Sequence, residues 1–231
     1  MAPLPFALSA LVSGLLALER KAFLQAMASR PLIAGCLVGL TFARPIEGLS
    51  VGAMLELFFL GGVNMGAALP DNELFATVAA SACACTLSEC SGVPAPSALA
   101  LSALVALPAA KVGKHADRLS ERVNAWVVGK AQADGPMAAR LKHNLYGLWL
   151  PFTSTAAVAL AGGLLGRFLL APALDASPRP LSRALEFAWG ALLLTAAAVA
   201  LRSIRTARAG LFAGVSAAVA AGAQVLRMFA P

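Results

Sequence analysis

The chain has 231 residues, 59% of them hydrophobic and 13% charged, with a formal net charge of +7 and a mean hydropathy of +0.79. A soluble globular domain carries about 25% charged residues, so so apolar a chain excludes an ordinary soluble core and points to lipid as the solvent. The positive charge gathers between hydrophobic segments rather than on aromatic platforms or base-reading motifs, which excludes a nucleic-acid partner and fits a positive-inside bias.

In chain order, Met1 to Leu18 comes first. It has no Lys or Arg ahead of its apolar run, so it reads as a membrane segment rather than a secretory signal. Pro31 to Ala43 follows with 13 uncharged or apolar positions, and Leu74 to Ser88 offers 15. Both are short of the ~20 residues that span a bilayer and suit a re-entrant hairpin or a broken helix shielded by protein. Gly48 to Pro70 holds one charge, Glu56, in 23 residues. Cys90 to Ala110 is free of Asp, Glu, Lys and Arg for 21 residues, His143 to Gly166 for 24 and Ala209 to Leu226 for 18. These lengths predict transmembrane helices. The expected architecture is all-α and polytopic. It has an N-terminal membrane lobe (1–110) with short or broken helices, a basic amphipathic connector (111–145) and a C-terminal membrane lobe (146–231).

The connector carries Lys111, Lys114, Arg118, Arg122, Lys130, Arg140 and Lys142 against Asp117, Glu121 and Asp134. Leu119, Val123, Trp126 and Val127 recur at spacings of three and four, an amphipathic helix on the cytoplasmic side. It serves either as a contact surface for a soluble partner or as a helix lying at the membrane interface. Arg202, Arg205 and Arg208 form a second basic cluster, and Gly210, Gly214, Ala218 and Gly222 repeat small residues as a helix-packing face would.

The polar residues that are costly in a membrane gather between Glu19 and Glu73. Glu56 lies within an apolar span, where an acid has a partner or a cavity. Asn64 and Asp71 stand among Gly61, Gly62, Gly66 and Pro70, where a helix can unwind and expose backbone, as transporters do at a substrate site. A sugar hydroxyl both donates and accepts hydrogen bonds, so carboxylates and amides suit it. Glu56, Asn64, Asp71 and Glu73 are therefore the candidate substrate-binding residues. Two alternatives stand beside this: Asp71 and Glu73 cap the helix starting near Leu74, and Glu56 forms a structural ion pair with Arg30 or Arg44.

Cys83-x-Cys85-x4-Cys90 does not match a zinc spacing, and the histidines, His115 and His143, have no ligand set around them, so no metal or cofactor is expected. Gly162-Gly163 lacks the Lys-Ser/Thr of a phosphate loop, and no motif marks an autonomous catalytic site.

Arg30-Pro-Leu-Ile-Ala-Gly-Cys-Leu-Val-Gly-Leu, Glu47-Gly-Leu-Ser-Val-Gly-Ala-Met-Leu-Glu56-Leu, Asn64-Met-Gly-Ala-Ala and Pro70-Asp71 together resemble the IIC component of the mannose/fructose/sorbose family of phosphotransferase-system (PTS) sugar permeases. Leu16 to Phe23 is similar to the family's approach to its Arg-Pro, and Ala125 to Gly135 and the His143 region echo its cytoplasmic stretch. The resemblance implies a multi-pass protein of the bacterial inner membrane. It would bind and translocate a hexose with a IID membrane subunit, in a higher oligomer, while a soluble IIB charged by IIA phosphorylates the sugar. It implies no catalytic residue in this chain, and it places Glu56, Asn64 and Asp71, with Glu73 beside them, near the sugar path. Where many relatives have Gly-Asp, this chain has Ala43-Arg44-Pro45, and Asp71-Asn72-Glu73 replaces a single acidic position. These departures leave room for an alternative, a regulatory or scaffold paralogue that docks PTS proteins without transporting.

Overall fold

The computed structural model describes residues 3–60, 69–90, 92, 94–133, 137–203 and 210, and among these every regular element is helical. Asn64, Gly61, Gly62, Gly66, Asp134, Arg205, Arg208 and most of the stretch from Ala209 to Leu226, with Gly214, Ala218 and Gly222, lie outside the described residues. So do the side chains of Arg140, Lys142 and His143.

Helix α1 (Leu4–Lys21) ends on Arg20 and Lys21, cations that complement the negative end of the helix. A loop then leads to α2 (Pro31–Thr41). Arg30 is extended, as a residue before proline must be, and Pro31 takes the first helical position, where its missing N–H costs nothing. Helix α3 (Pro45–Phe59) starts on a second proline, and the turn between them needs Ala43 at φ 56°. At 11 residues, α2 is about 16 Å long, roughly half the hydrocarbon thickness of a bilayer. The α2–α3 pair thus forms a short helical hairpin from the short run at Pro31 and the start of the longer Gly48 to Pro70 run, whereas the other short run, Leu74 to Ser88, lies in one unbroken helix.

Glycines bring the hairpin together. Gly35 and Gly39 on α2 face Gly48 and Gly52 on α3, each pair spaced four apart. A Cβ added at Gly35 would land on the Gly48 carbonyl oxygen, and one at Gly39 would stand 2.6 Å from the Arg44 carbonyl oxygen. Where lipid removes the hydrophobic drive between helices, such backbone contact supplies the packing.

Helix α4 (Glu73–Cys90) is central, with every residue from Leu74 to Leu87 buried. Helices α2, α3, α5, α6 and α7 all pack on it. Helix α5 (Ala95–Ala106) stops at Leu107-Pro108 and α6 (Ala109–Ala133) resumes, so the uncharged run Cys90 to Ala110 contains a helix break. Helix α7 (Met137–Leu165) lies against α1 and α4, and its close approach to α4 explains Gly162: an added Cβ would sit 2.5 Å from the Ala79 carbonyl oxygen. The helix runs on through a π-helical turn (Gly166–Leu170) into α8 (Ala171–Asp175). Helix α9 (Arg179–Ser203) packs on α3 and α5. Among the described residues, Leu145–Asp175 and Pro180–Ser203 are long and apolar enough to cross a membrane, as is Ala95–Lys130 taken across the break at Leu107-Pro108.

The connector helix differs in one respect from its sequence pattern. Val127 is buried, but Leu119 and Trp126 are 51% and 61% exposed. The face of α6 turned inward carries Ala110, Gly113 and Ser120 instead. Small residues let the helix approach α4, and the bulky ones point away.

Candidate functional site

Three helix ends meet at one place: the C-terminus of α1, the N-terminus of α2 and the N-terminus of α4. The end of α3 closes the group. Because α2 and α3 are antiparallel, Arg30 at the start of α2 comes opposite Glu56 near the end of α3. Because α4 begins at Glu73, that carboxylate points into the same space. The Arg30 guanidinium stands 3.7 Å from Glu56 and 3.9 Å from Glu73, with all three side chains partly exposed. These are ion-pair distances too long for tight hydrogen bonds, so each carboxylate and the guanidinium keep bonding capacity for a third party. Glu56 also accepts a 3.4 Å hydrogen bond from the Leu32 N–H, one of the donors that the start of a helix leaves unpaired.

Beside this trio lies an open polar cavity of about 210 Å³, lined by Glu19, Arg20, Gln25, Met27, Ser29, Arg30 and Glu73. Its wall is a shaped loop. Leu24, Gln25 and Met27 have φ of 67°, 47° and 62°, a left-handed region that costs non-glycine residues of order 1–3 kcal/mol each. The buried carboxylate of Glu19 holds that loop, accepting from the N–H groups of Ser29 at 3.0 Å and Ala28 at 3.3 Å.

Asn72 marks the other side. Its side-chain oxygen accepts from the Phe75 N–H at 3.2 Å, which makes it the N-cap of α4, and from Arg20 at 2.7 Å. Its amide donates to Asp117 of α6 at 2.8 Å, and Asp117 pairs with Lys21 at 2.6 Å. Asp71 stands 3.6 Å from Lys114.

The sequence candidates therefore separate. Glu56 and Glu73 come together around Arg30, Asp71 turns to Lys114 on α6, and Asn64 lies outside the described residues. Of the two partners considered for Glu56, Arg30 is the one that meets it. Arg44 pairs at 2.8 Å with Glu47 in the first turn of α3, nine residues from Glu56 and so about 13 Å along the helix. The helix cap is Asn72 rather than Asp71 or Glu73. Reading from sequence passed over Glu19, Ser29, Asn72 and Asp117. For Asn72 the signal was available, an Asn three residues before Phe75 at the head of an apolar run. Among the described residues no group of three His, Cys, Asp or Glu could hold a metal ion.

What the site can do follows from its chemistry. Two carboxylates accept hydrogen bonds and one guanidinium donates them, at the edge of a polar cavity among apolar helices. The group can therefore both donate to and accept from a polar solute. Fold and composition define a helical membrane protein. The family described as the sorbose-specific IIC component of the PTS system matches residues 4–228, so the chain belongs to the PTS sorbose-specific IIC family. Two solved structures share the fold. One, described as a membrane protein, is 22% identical with a TM-score of 0.71 and covers 99% of this chain and 94% of its own. The other is the mannose transporter ManYZ in complex with microcin E492, at 20% identity and a TM-score of 0.61, covering 100% of this chain and 97% of its own. Comparison with curated proteins gives no match.

Proposed function

We propose that this chain is the membrane-embedded IIC subunit of a phosphoenolpyruvate-dependent sugar phosphotransferase system of the bacterial plasma membrane. It binds a hexose of the mannose, fructose, sorbose or amino-sugar class and carries it across with a IID partner, while a soluble IIB charged by IIA phosphorylates the sugar. The observation that carries this reading is the meeting of Glu56 and Glu73 at Arg30, with Arg30 and Glu73 lining a polar cavity, in a chain of the IIC family.

The sugar hydroxyls donate to Glu56 and Glu73 and accept from Arg30. Asn64 and Asp71 join the sugar path on the family resemblance. The hairpin supports the trio because its glycine faces fix α2 against α3 through backbone, leaving little room for drift. Phosphoryl transfer on the partner supplies the free energy, and this chain contributes binding, orientation and passage.

Uptake of radiolabelled mannose, fructose, glucosamine and sorbose tests the reading. The host is a phosphotransferase-competent cell lacking its own permease, with the chain co-expressed with IID and IIB subunits. Phosphorylated sugar accumulating only when IID and IIB are both present is the expected result. An assembled complex that takes up none of the four sugars would overturn it.

A further inference from the structure

Among the described residues, α6 makes polar contacts to Asp71 and Asn72, which immediately precede Glu73. Asn72 is 4% exposed, and α6 grips it through both backbone and side chain. Its N–H donates to the Ala110 carbonyl at 3.0 Å, and its amide donates to Asp117 at 2.8 Å. Lys114 stands 3.6 Å from Asp71, one residue upstream. Gly113 allows this approach, since a Cβ there would lie 2.6 Å from the Asn72 Cβ and 2.7 Å from the Phe75 ring. On the opposite side Arg20 donates to Asn72 at 2.7 Å, and Lys21 fixes Asp117 at 2.6 Å. The N-cap of α4 is therefore bonded simultaneously to the end of α1 and to the connector helix. The backbone of Glu73, the next residue, moves with that cap while α4 stays wound, and carries the root of its side chain with it.

We propose that Asn72 and Asp117 are positioning residues for the sugar site: through them α6 sets where the Glu73 carboxylate stands relative to Arg30 and Glu56. This rests on the sugar-transport reading above. It makes the basic connector a mechanical part of the binding site rather than only a surface. A displacement of α6 pulls on the cap of α4 and alters the separation of the two carboxylates across Arg30.

The test uses the full chain assembled with its IID and IIB partners, and reads the KM and maximal rate of uptake for whichever of the four sugars the wild type carries. Asn72→Asp keeps the oxygen that caps Phe75 and meets Arg20 but turns the donor facing Asp117 into a second anion. Its KM should rise about tenfold or more, the size expected from losing a hydrogen bond to a charged group, with the maximal rate per assembled complex within about twofold. Adding Asp117→Asn restores a donor and an acceptor in reversed order and should bring KM most of the way back. Should Asn72→Asp fail to assemble, Asp117→Ala leaves the cap intact and removes the acceptor on α6 together with its ion pair to Lys21, and its KM should also rise, whereas Lys21→Ala, which removes the ion pair alone, should raise it less. Unchanged KM in the variant that assembles, a loss confined to the amount of complex, or no rescue in the reversed pair would overturn the proposal while leaving sugar transport standing. A wild-type complex that carries none of the sugars would overturn the transport reading itself, and the positioning role with it.

Discussion

Gly52 is the position where the packing of the hairpin and the geometry of the site can be perturbed by one methyl group. A Cβ there would press on the Pro31 carbonyl oxygen, with the Pro31 carbonyl carbon at 3.2 Å and the Gly35 Cα at 3.3 Å. All three are backbone atoms, so no rotamer change relieves the contact. Carbon and carbonyl oxygen settle at about 3.3–3.6 Å, which requires the start of α2 to retreat by roughly 1 Å. The Leu32 N–H to Glu56 bond, already 3.4 Å, would break, and the 3.7 Å separation of Arg30 from Glu56 would pass the range of an ion pair. Overpacking costs about 1–3 kcal/mol, and replacing glycine inside a helix returns about 1 kcal/mol, so Gly52→Ala should destabilise by roughly 0–2 kcal/mol. The functional loss should exceed this, because the displacement falls on the trio proposed to bind the sugar. Thermal unfolding of the purified protein in detergent gives the first quantity, and uptake per assembled complex the second. Gly129→Ala is the control, since nothing lies within 4 Å of a Cβ there. Gly52→Ala matching Gly129→Ala in both stability and uptake would refute the reasoning.

Three further expectations follow from other parts of the molecule. Gly162→Leu should prevent α7 from seating on α4, since even a Cβ falls 2.5 Å from the Ala79 carbonyl oxygen, and the variant should be lost from the assembled membrane fraction in a blot against wild type. Arg44→Ala removes a partly exposed pair with Glu47 remote from the cavity, so it should cost no more than about 1 kcal/mol in thermal stability and leave sugar KM unchanged. A maleimide probe should label Cys90, which is exposed, well before Cys36, and should reach the buried Cys83 and Cys85 only after denaturation, as read by mass spectrometry.

Much of the architecture was legible because proline and charge mark helix boundaries even in an apolar chain. Arg30-Pro31 opens α2, Arg44-Pro45 opens α3, and the short run between them is too brief to span. Glu56 stood out as an acid in an apolar span, and its partner proved to be one of the two cations considered. The inward face of α6 was not legible. Hydrophobic periodicity marks an apolar stripe without saying what covers it: the small residues Ala110, Gly113 and Ser120 face inward with Val127, while Leu119 and Trp126 face out. Asn72 was legible as a helix cap but not as a junction between helices. Flanked by Asp71 and Glu73, it looked like the least charged member of an acidic run. Its importance comes from Arg20, Ala110 and Asp117, up to 52 residues away in sequence. Likewise, nothing local in Glu19 discloses that it holds a loop nine and ten residues ahead.

The central claim is that Glu56, held opposite Arg30, binds the sugar. Uptake of the four radiolabelled hexoses by the complex carrying Glu56→Gln tests it most directly. This change keeps the size of the side chain and an oxygen to accept from Leu32 but removes the charge facing Arg30. The account predicts that the variant reaches the membrane and assembles in wild-type amount, yet loses most uptake at sugar concentrations that saturate the wild type. Wild-type uptake by assembled Glu56→Gln would contradict it and reduce Glu56 to a cap on α2.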